Sequence, residues 1–409
     1  MSLPEVEKTS PRSDLLRSGM LTVLALACFL TLLAVGYRTR HHQFYQAVDS
    51  PRLLIGGREP VVLTRPQSDG GLLPELVSAT LLPGRGMNLL QLTAYLPGTG
   101  MVPIFASPEP DQINSMLANP DADRSGAITA GFGGALMLPL DGAVTGKLSA
   151  DGQSISIPWH GQTLTLPTDA AGKPVASYGL FNNQAPVSLE VDALPDGEMS
   201  TAVFEPGDFS GRWPSTTRVT VVTTLTRKAV DFTITAQNTG NQPEPMNIGW
   251  RPFFAIPSGQ RSLVQFHMSP AERAEADASG SFTGQGLPVT GTPYDFTARD
   301  GASFGNRTLD ATFTHLHPGL MQDSPTAELI DRTANYGLRI TLLSPTIKVL
   351  HLVVPEGKPV VSIAPRMSLD NNLAKADSTT TLQPGDSIEW KLRLEIFRPG
   401  HPLDASSIH

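Results

Sequence analysis

Apolar and polar residues alternate along this chain in short runs, the pattern of β-strands with one buried and one outward face. The clearest runs, residues 218–225 and 231–236, are rich in β-branched side chains and flank a short polar turn, which predicts a hairpin. Further strands are predicted near the C-terminus at 338–343, 347–354, 359–363 and 387–397. A short helix is expected at 111–117, and the small-residue stretches 270–286 and 300–307 are expected to be loops. This rhythm predicts an all-β domain, a sandwich or barrel in which both sheets contribute to one core.

The N-terminal region departs from this pattern. Residues 20–36 (MLTVLALACFLTLLAVG) contain no charged side chain, and as a helix they would extend about 25 Å, the short end of a bilayer span. We predict one N-terminal transmembrane helix, preferring a signal anchor to a cleaved signal peptide. The expected order is a cytoplasmic tail (1–19), the anchor (20–37), a linker (38–51), the β domain (52–400) and a C-terminal tail (401–409), with the domain on the external, periplasmic or extracellular, side of the membrane.

Composition narrows the choice of partners. The chain has 409 residues, 37 of them Gly and 36 Pro, which suits many strands joined by tight turns. Its formal net charge of −8 leaves no basic surface for a nucleic-acid backbone. Cys28 is the only cysteine, so an intramolecular disulfide is excluded. The sequence leaves the oligomeric state open.

Four segments in order carry a family resemblance. Residues 134–144 are similar to G-x-L-M-x-P-x-x-G-R-I, and 238–254 to N-x-G-x-x-P-x-P-x-N followed by H-P-Y-F. Residues 309–313 are similar to L-D-D-x-F, and 361–386 to V-x-E-P followed by L-x-P-G-E. Together they resemble the aldose 1-epimerase (galactose mutarotase) family. The resemblance implies a large antiparallel β-sandwich, the galactose mutarotase-like supersandwich, with a carbohydrate cleft on one face.

The same resemblance implies a chemistry whose groups are largely replaced here. Mutarotation needs a base at the sugar C1 hydroxyl and an acid at the ring oxygen, and the family uses a glutamate and a histidine, helped by a second histidine and an arginine. Those positions correspond to Ala364, Arg251, Tyr178 and Ala143 in this chain, and only the sugar-binding aspartate remains, as Asp310. A guanidinium stays protonated at neutral pH and cannot serve as a general acid.

We therefore expect no catalytic residue at the family positions and a substrate-binding set consisting of Tyr178, Arg251, Phe254 and Asp310. Three functions remain open. The preferred one is a membrane-anchored carbohydrate-binding protein without ordinary epimerase activity. The alternatives are an aldose 1-epimerase with a rearranged acid and base, using Asp370 or Glu356, and an envelope scaffold that binds no sugar.

Two segments partly match the patterns of metal sites. Residues 121–128 copy the start of an EF-hand loop, but Phe132 stands where the bidentate glutamate belongs. His315 and His317 share one face of an extended segment without an evident third ligand. We expect neither a metal nor a cofactor, and we expect a carbohydrate ligand and the membrane, through residues 20–37, as partners.

Overall fold

The computed structural model describes residues 20, 26–35, 53–66, 71–119, 122–170, 172–276, 282–298, 301–320, 322–369, 373 and 379–400. It divides into two compact units, Met1–Arg52 and Leu53–His409. In the first unit, residues 26–35 are helical, and the Thr31 hydroxyl donates to the Ala27 carbonyl at 2.7 Å. Among the described residues, no helix has both the length and the apolar character needed to cross a membrane.

The second unit is built from short and medium strands. The first fourteen in chain order are β1 Val61–Thr64, β2 Glu75–Leu82, β3 Asn88–Leu96, β4 Gly100–Pro103, β5 Gly134–Met137, β6 Val144–Thr145, β7 Lys147–Leu148, β8 Ser154–Trp159, β9 Gln162–Pro167, β10 Val175–Ala176, β11 Ser188–Leu194, β12 Gly197–Gly207, β13 Thr217–Leu225 and β14 Ala229–Asn238. They are followed by β15 Glu244–Pro245, β16 Gly249–Pro252, β17 Phe254–Ala255, β18 Gln265–Met268, β19 Glu272–Ala276, β20 Phe282–Pro288, β21 Ala302–Ser303, β22 Leu309–Thr314, β23 Thr326–Asp331, β24 Tyr336–Leu342, β25 Val349–Val354, β26 Val360–Arg366, β27 Thr381–Leu382 and β28 Ser387–Phe397.

Two large sheets contain most of these strands. A twelve-stranded sheet has the order β1-β2-β3-β5-β16-β26-β25-β22-β19-β20, with β4 pairing to β3 and β17 to β26. A nine-stranded sheet has the order β11-β12-β13-β14-β28-β24-β23-β18-β21. The predicted all-β antiparallel sandwich is confirmed.

Side-chain alternation explains which face of each strand is buried. In the predicted hairpin, now β13 and β14, every second residue of β13 is buried. Val219 lies opposite Ala236 and Val221 opposite Ile234, all four fully buried. Because successive side chains of a strand point to opposite faces, the intervening polar residues are directed away from the core.

One continuous core joins the two sheets. It contains Trp250 and Ile363 from the twelve-stranded sheet and Val221 and Trp390 from the nine-stranded sheet. The rings of Trp250 and Phe232, one from each sheet, have centroids 5.2 Å apart. Burial of these large apolar side chains is the main force that holds the sheets together.

Helices are short in this unit. The expected helix is confirmed as Pro110–Met116, and its N-terminus is fixed by the Gln112 side-chain oxygen, which accepts from the Glu109 amide at 3.2 Å. Three 3-10 turns are present among the described residues, at Pro83–Arg85, Thr129–Gly131 and Arg261–Leu263.

The prediction of a loop at 270–286 is wrong. Its described residues include β19 and the start of β20, which pair with each other. In addition, β19 pairs with β22, so that Glu272 lies opposite Thr314. Pairing with a strand some forty residues later, rather than local propensity, makes this small-residue stretch extended. The second expected loop, 300–307, holds only the two-residue strand β21 among its described residues.

Candidate functional site

The candidate site lies on the face of the twelve-stranded sheet that is turned away from the core. On β25, Leu350 and Leu352 are buried in the core, so His351 between them points to the other face. The same alternation on neighbouring strands directs further polar side chains to this side. We call this side the outward face and define it by Arg251 on β16, Arg366 on β26, His351 on β25 and Asp310 on β22.

His351 links two charged residues of the outward face. Its Nε2 lies 2.7 Å from Asp310 Oδ1, and its Nδ1 lies 2.6 Å from Arg366 Nη2. Because a guanidinium can only donate, Nδ1 must accept and carries no proton. Nε2 then holds the proton and donates it to the Asp310 carboxylate. The two neighbours thus define a neutral imidazole in a single tautomer.

The pKa shifts agree with this assignment. Burial lowers the pKa of His351, and the positive charges of Arg366 and Arg251 lower it further against the opposing effect of Asp310. The hydrogen bond from His351 holds the pKa of Asp310 below its ordinary value, helped by the charges of Arg366 and Arg251. The Asp310 side chain is nevertheless 77% exposed. The outward face therefore presents an ionised, accessible carboxylate beside a histidine that stays neutral.

Arg251 occupies an aromatic setting. Its guanidinium carbon lies 5.1 Å from the centre of the Tyr178 ring and 5.3 Å from that of Phe253. Two rings at this range attract the cation and restrict its orientation. Tyr178 is positioned by Gly179, which has a φ of +68° and so little room that a Cβ there would come within 2.4 Å of the Leu138 carbonyl oxygen. Only glycine fits this left-handed position next to β5.

Asp141 holds the chain that follows Arg366. It is fully buried, and its carboxylate accepts from the Met367 amide at 2.6 Å, the Ser368 amide at 3.0 Å and the Ser368 hydroxyl at 2.7 Å. Burial raises the pKa of Asp141 while these hydrogen bonds oppose the rise. The contact ties the first family-like segment to the last and fixes the chain immediately after Arg366.

Three of the four predicted binding residues share the site, and one does not. Tyr178, Arg251 and Asp310 lie on or beside the outward face. Phe254 is a correction, because it is fully buried and stacks on Phe105 at 5.3 Å between ring centres. Its neighbour Phe253 takes the expected place, since strand alternation puts it on the same side as Arg251.

The positions that depart from the family pattern also have defined places. Ala364 is buried on β26 and lies directly opposite His351 on β25. Ala143, after Gly142, is exposed. Glu356, one of the two carboxylates considered as a replacement base, is exposed in the turn between β25 and β26, several residues along the strand from Ala364. The other, Asp370, lies outside the described residues.

Sequence reasoning missed His351 and Arg366. Neither carries a motif of its own: His351 lies in the predicted strand 347–354, and Arg366 lies within the family-like segment 361–386. The detectable feature was a histidine between two leucines in a predicted strand, because that pattern places it opposite the core.

The two possible metal sites are occupied by internal contacts. Both oxygens of Asp123 accept hydrogen bonds from its own loop, from the Ile128 amide at 2.7 Å and from the Thr129 amide and hydroxyl at 3.1 and 2.6 Å. His315 Nδ1 pairs with Glu272 Oε2 at 2.8 Å. Among the residues that the structure describes, no three His, Cys, Asp or Glu side chains cluster as metal ligands would.

Comparison with known proteins gives a consistent result. The sequence model of the aldose 1-epimerase family matches residues 134–395. A galactose mutarotase-like protein from Clostridium acetobutylicum shares the fold with a TM-score of 0.64 at 16% identity, over 82% of this chain and 98% of that one. The galactose 1-epimerase from Lactobacillus acidophilus gives 0.56 at 13% identity, over 84% and 99%. An aldose epimerase homologue from C. elegans gives 0.57 at 15% identity, over 82% and 98%. A search of curated protein sequences finds no match.

Proposed function

Because this chain belongs to the aldose 1-epimerase family, we propose that it binds a carbohydrate on the outward face and does not catalyse the ordinary mutarotation of hexoses. The observation that carries the proposal is the setting of Arg251. A planar donor held by Tyr178 and Phe253, with the accessible Asp310 carboxylate on the same face, offers aromatic surface, fixed donors and a fixed acceptor. Sugar sites combine these three features.

The absence of proton-transfer groups supports the second half of the proposal. Ala364 has no side chain that can accept a proton, and Arg251 cannot donate one at neutral pH. His351 is close to the vacated glutamate position, but Arg366 and Asp310 engage both of its nitrogens. Loss of an acid or a base lowers the rate by about 10² to 10⁴ for each group. Binding without appreciable turnover is the expected result.

A second candidate function is favoured by one specific observation. His351 lies directly across from Ala364 on the adjacent strand, so release of its Nδ1 by Arg366 would provide a base paired with Asp310. In that case the chain is an aldose 1-epimerase whose base has moved to the neighbouring strand. The sequence-based candidate Glu356 is less suitable because it lies in the turn beyond β25.

Polarimetry separates the two functions. With freshly dissolved α-glucose or α-galactose, we expect the protein to relax the optical rotation no faster than buffer alone. Acceleration that disappears in His351→Ala but remains in the control His267→Ala, on the nine-stranded sheet, would establish the second function instead. A protein that neither binds sugars nor accelerates mutarotation would fit the scaffold alternative.

We further propose that residues 20–37 anchor the protein in a membrane with the β domain on the external side. The support is the uncharged run at 20–36, which as a helix would reach the short end of a bilayer span. The expected result is that the protein stays in the membrane fraction after alkaline carbonate extraction and is digested by protease added outside intact cells. Release by carbonate would contradict the proposal.

A further inference from the structure

We propose that the sugar bound at the outward face carries an oxyanion, a carboxylate or a phosphate, and that Arg251 and Arg366 together hold this group. The inference rests on the proposed function, because it names the class of carbohydrate for the same site. It starts from the charge of the site and from the way each guanidinium is already used.

Two guanidiniums lie near each other on this face. Arg366 lies directly opposite Gly249, which precedes Arg251 by two residues on β16, so the two side chains leave the same face of adjacent strands. Burial lowers the pKa of Arg366, and the charge of Arg251 lowers it further. Both guanidiniums also act on the pKa of His351 and of Asp310. Placing two permanent cations together is unfavourable unless a negative group joins them.

Among the described residues, no carboxylate forms an ion pair with either of these two guanidiniums. Asp141 acts on Arg366, but its oxygens accept hydrogen bonds from the Met367 amide and from the amide and hydroxyl of Ser368. Asp310 receives the His351 proton and is largely exposed. With His351 neutral, the two guanidiniums and the two carboxylates are equal in number, but among the described residues neither carboxylate forms an ion pair with Arg251.

The bonding of Arg366 is also incomplete. One Nη2–H is donated to His351, while the buried Nε–H has no acceptor among the described residues. An unpaired buried donor is costly. An oxyanion at the Nη atoms would offset the charge of Arg366 without displacing His351, and the buried Nε–H would still need an acceptor of its own.

The setting of Arg251 favours an oxyanion over a neutral hydroxyl. Its guanidinium is held by two rings, 5.1 and 5.3 Å from their centres, so the planar fork is oriented before a ligand arrives. Such a fork matches two oxygens of a carboxylate or phosphate and gives stronger hydrogen bonds than it gives a hydroxyl.

Small residues lie beside the charged side chains on the neighbouring strands. The residues directly across from Arg251, Arg366 and His351 on neighbouring strands include Ala135, Gly249 and Ala364. None of them has a side chain longer than a methyl group. The space above Gly249 is taken by Asp141 and Met137, so the small residues that adjoin the charged side chains are Ala135 and Ala364.

The test is calorimetric titration of the full-length protein with matched pairs of sugars: glucuronate against glucose, galacturonate against galactose, and glucose 6-phosphate against glucose. We expect at least one anionic sugar to bind tenfold or more tightly than its neutral counterpart, and comparing the carboxylate and phosphate sugars identifies the group that is bound.

Arg251→Gln should remove that preference. Arg273→Gln should retain it, because Arg273 also stacks on a ring, that of Tyr294 at 4.4 Å, but projects from β19 to the opposite side of the sheet. If Arg251→Gln fails to fold, Arg251→Lys replaces it and should lose most of the preference, since it keeps the charge but not the fork.

The outcomes separate this inference from the function on which it rests. Equal binding of neutral and anionic sugars would overturn the oxyanion inference and leave carbohydrate binding intact. A preference that survives in both Arg251 variants would place the anion elsewhere and also overturn it. Absence of binding by every sugar in the set would overturn the proposed function together with the inference.

Discussion

The two large sheets differ in whether their outward-pointing charged residues lie opposite a residue of opposite charge. On the nine-stranded sheet, opposite charges face each other across adjacent strands: Arg393 lies opposite Asp231, with Nε and Oδ1 2.7 Å apart. Arg339 lies opposite Glu328, with Nε and Oε1 2.7 Å apart. Glu395 follows opposite Arg339 on the next strand, so the charges on this sheet alternate in sign.

On the outward face of the twelve-stranded sheet, no charged residue has an opposite charge directly across from it. His351 lies between Thr312 and Ala364, and Asp310 lies opposite Val353. The contacts between charged groups there are diagonal. Direct cross-strand pairing satisfies charges within the sheet, whereas the diagonal arrangement leaves them directed outward. The first set of charges therefore pairs within the fold, and the second set is the one that we propose meets a ligand.

The largest expected effect concerns the hydrophobic core that the two sheets share. Trp250 belongs to the twelve-stranded sheet but touches Phe232 of the other, so Trp250→Ala should destabilise both sheets together, by about 3–5 kcal/mol. Urea unfolding followed by circular dichroism should show one cooperative transition in wild type and variant. Leu320→Ala, at a side chain 92% exposed, is the control and should change little. Two separate transitions would mean that the sheets do not share one core.

The second prediction concerns Glu244, a buried carboxyl group beside the nine-stranded sheet that has no opposite charge paired with it in the described part of the chain. Glu244 is fully buried, and its Oε2 accepts from the Thr217 hydroxyl at 2.7 Å. Its Oε1 has no partner among the described residues. Burial raises the pKa of Glu244 from 4.5 to about 7, and the Thr217 hydrogen bond only partly opposes this.

The sign of the resulting pH dependence follows from proton binding. Between pH 4.5 and about 7 the folded state keeps a proton that the unfolded state has lost, so the free energy of unfolding falls as the pH rises through this window. The contribution of this one group is on the order of 3 kcal/mol. Glu244→Gln should flatten the curve and raise stability at pH 8 relative to wild type. The exposed control Glu190→Gln should leave the curve unchanged, and an equally steep fall in Glu244→Gln would assign the dependence to other groups.

The parts of this comparison that the sequence predicted are those set by local alternation. The hairpin β13–β14 was predicted because a period of two is visible in each strand alone. The strands β19 and β20 were expected to be loops because their small residues become extended only through pairing with β22 and with each other. Local patterns do not contain that information.

The same limit applied to the site. The family-like segments identified Arg251 and Asp310, but the contacts of His351 depend on the register of three strands, which brings residues 310, 351 and 366 together. The segment around Arg251 also indicated the wrong one of two adjacent phenylalanines, Phe254 instead of Phe253. Because successive residues of a strand point to opposite faces, Phe253 lies beside Arg251 and Phe254 is buried in the core. Motifs located the site, and register determined its members.

The smallest expected effect tests the contrast between the sheets directly. Double-mutant cycles with Arg393→Gln and Asp231→Asn should give a coupling free energy of about 0.2–1 kcal/mol, because both side chains remain 28% exposed and solvent screens the pair. The coupling should decrease at higher salt. The matched cycle with Arg251→Gln and Asp310→Asn should give a smaller coupling in urea unfolding, because these residues lack a cross-strand contact. If the second pair stabilised the fold as much as the first, the charges of the outward face would be structural, and the argument that they are held ready for a ligand would fail.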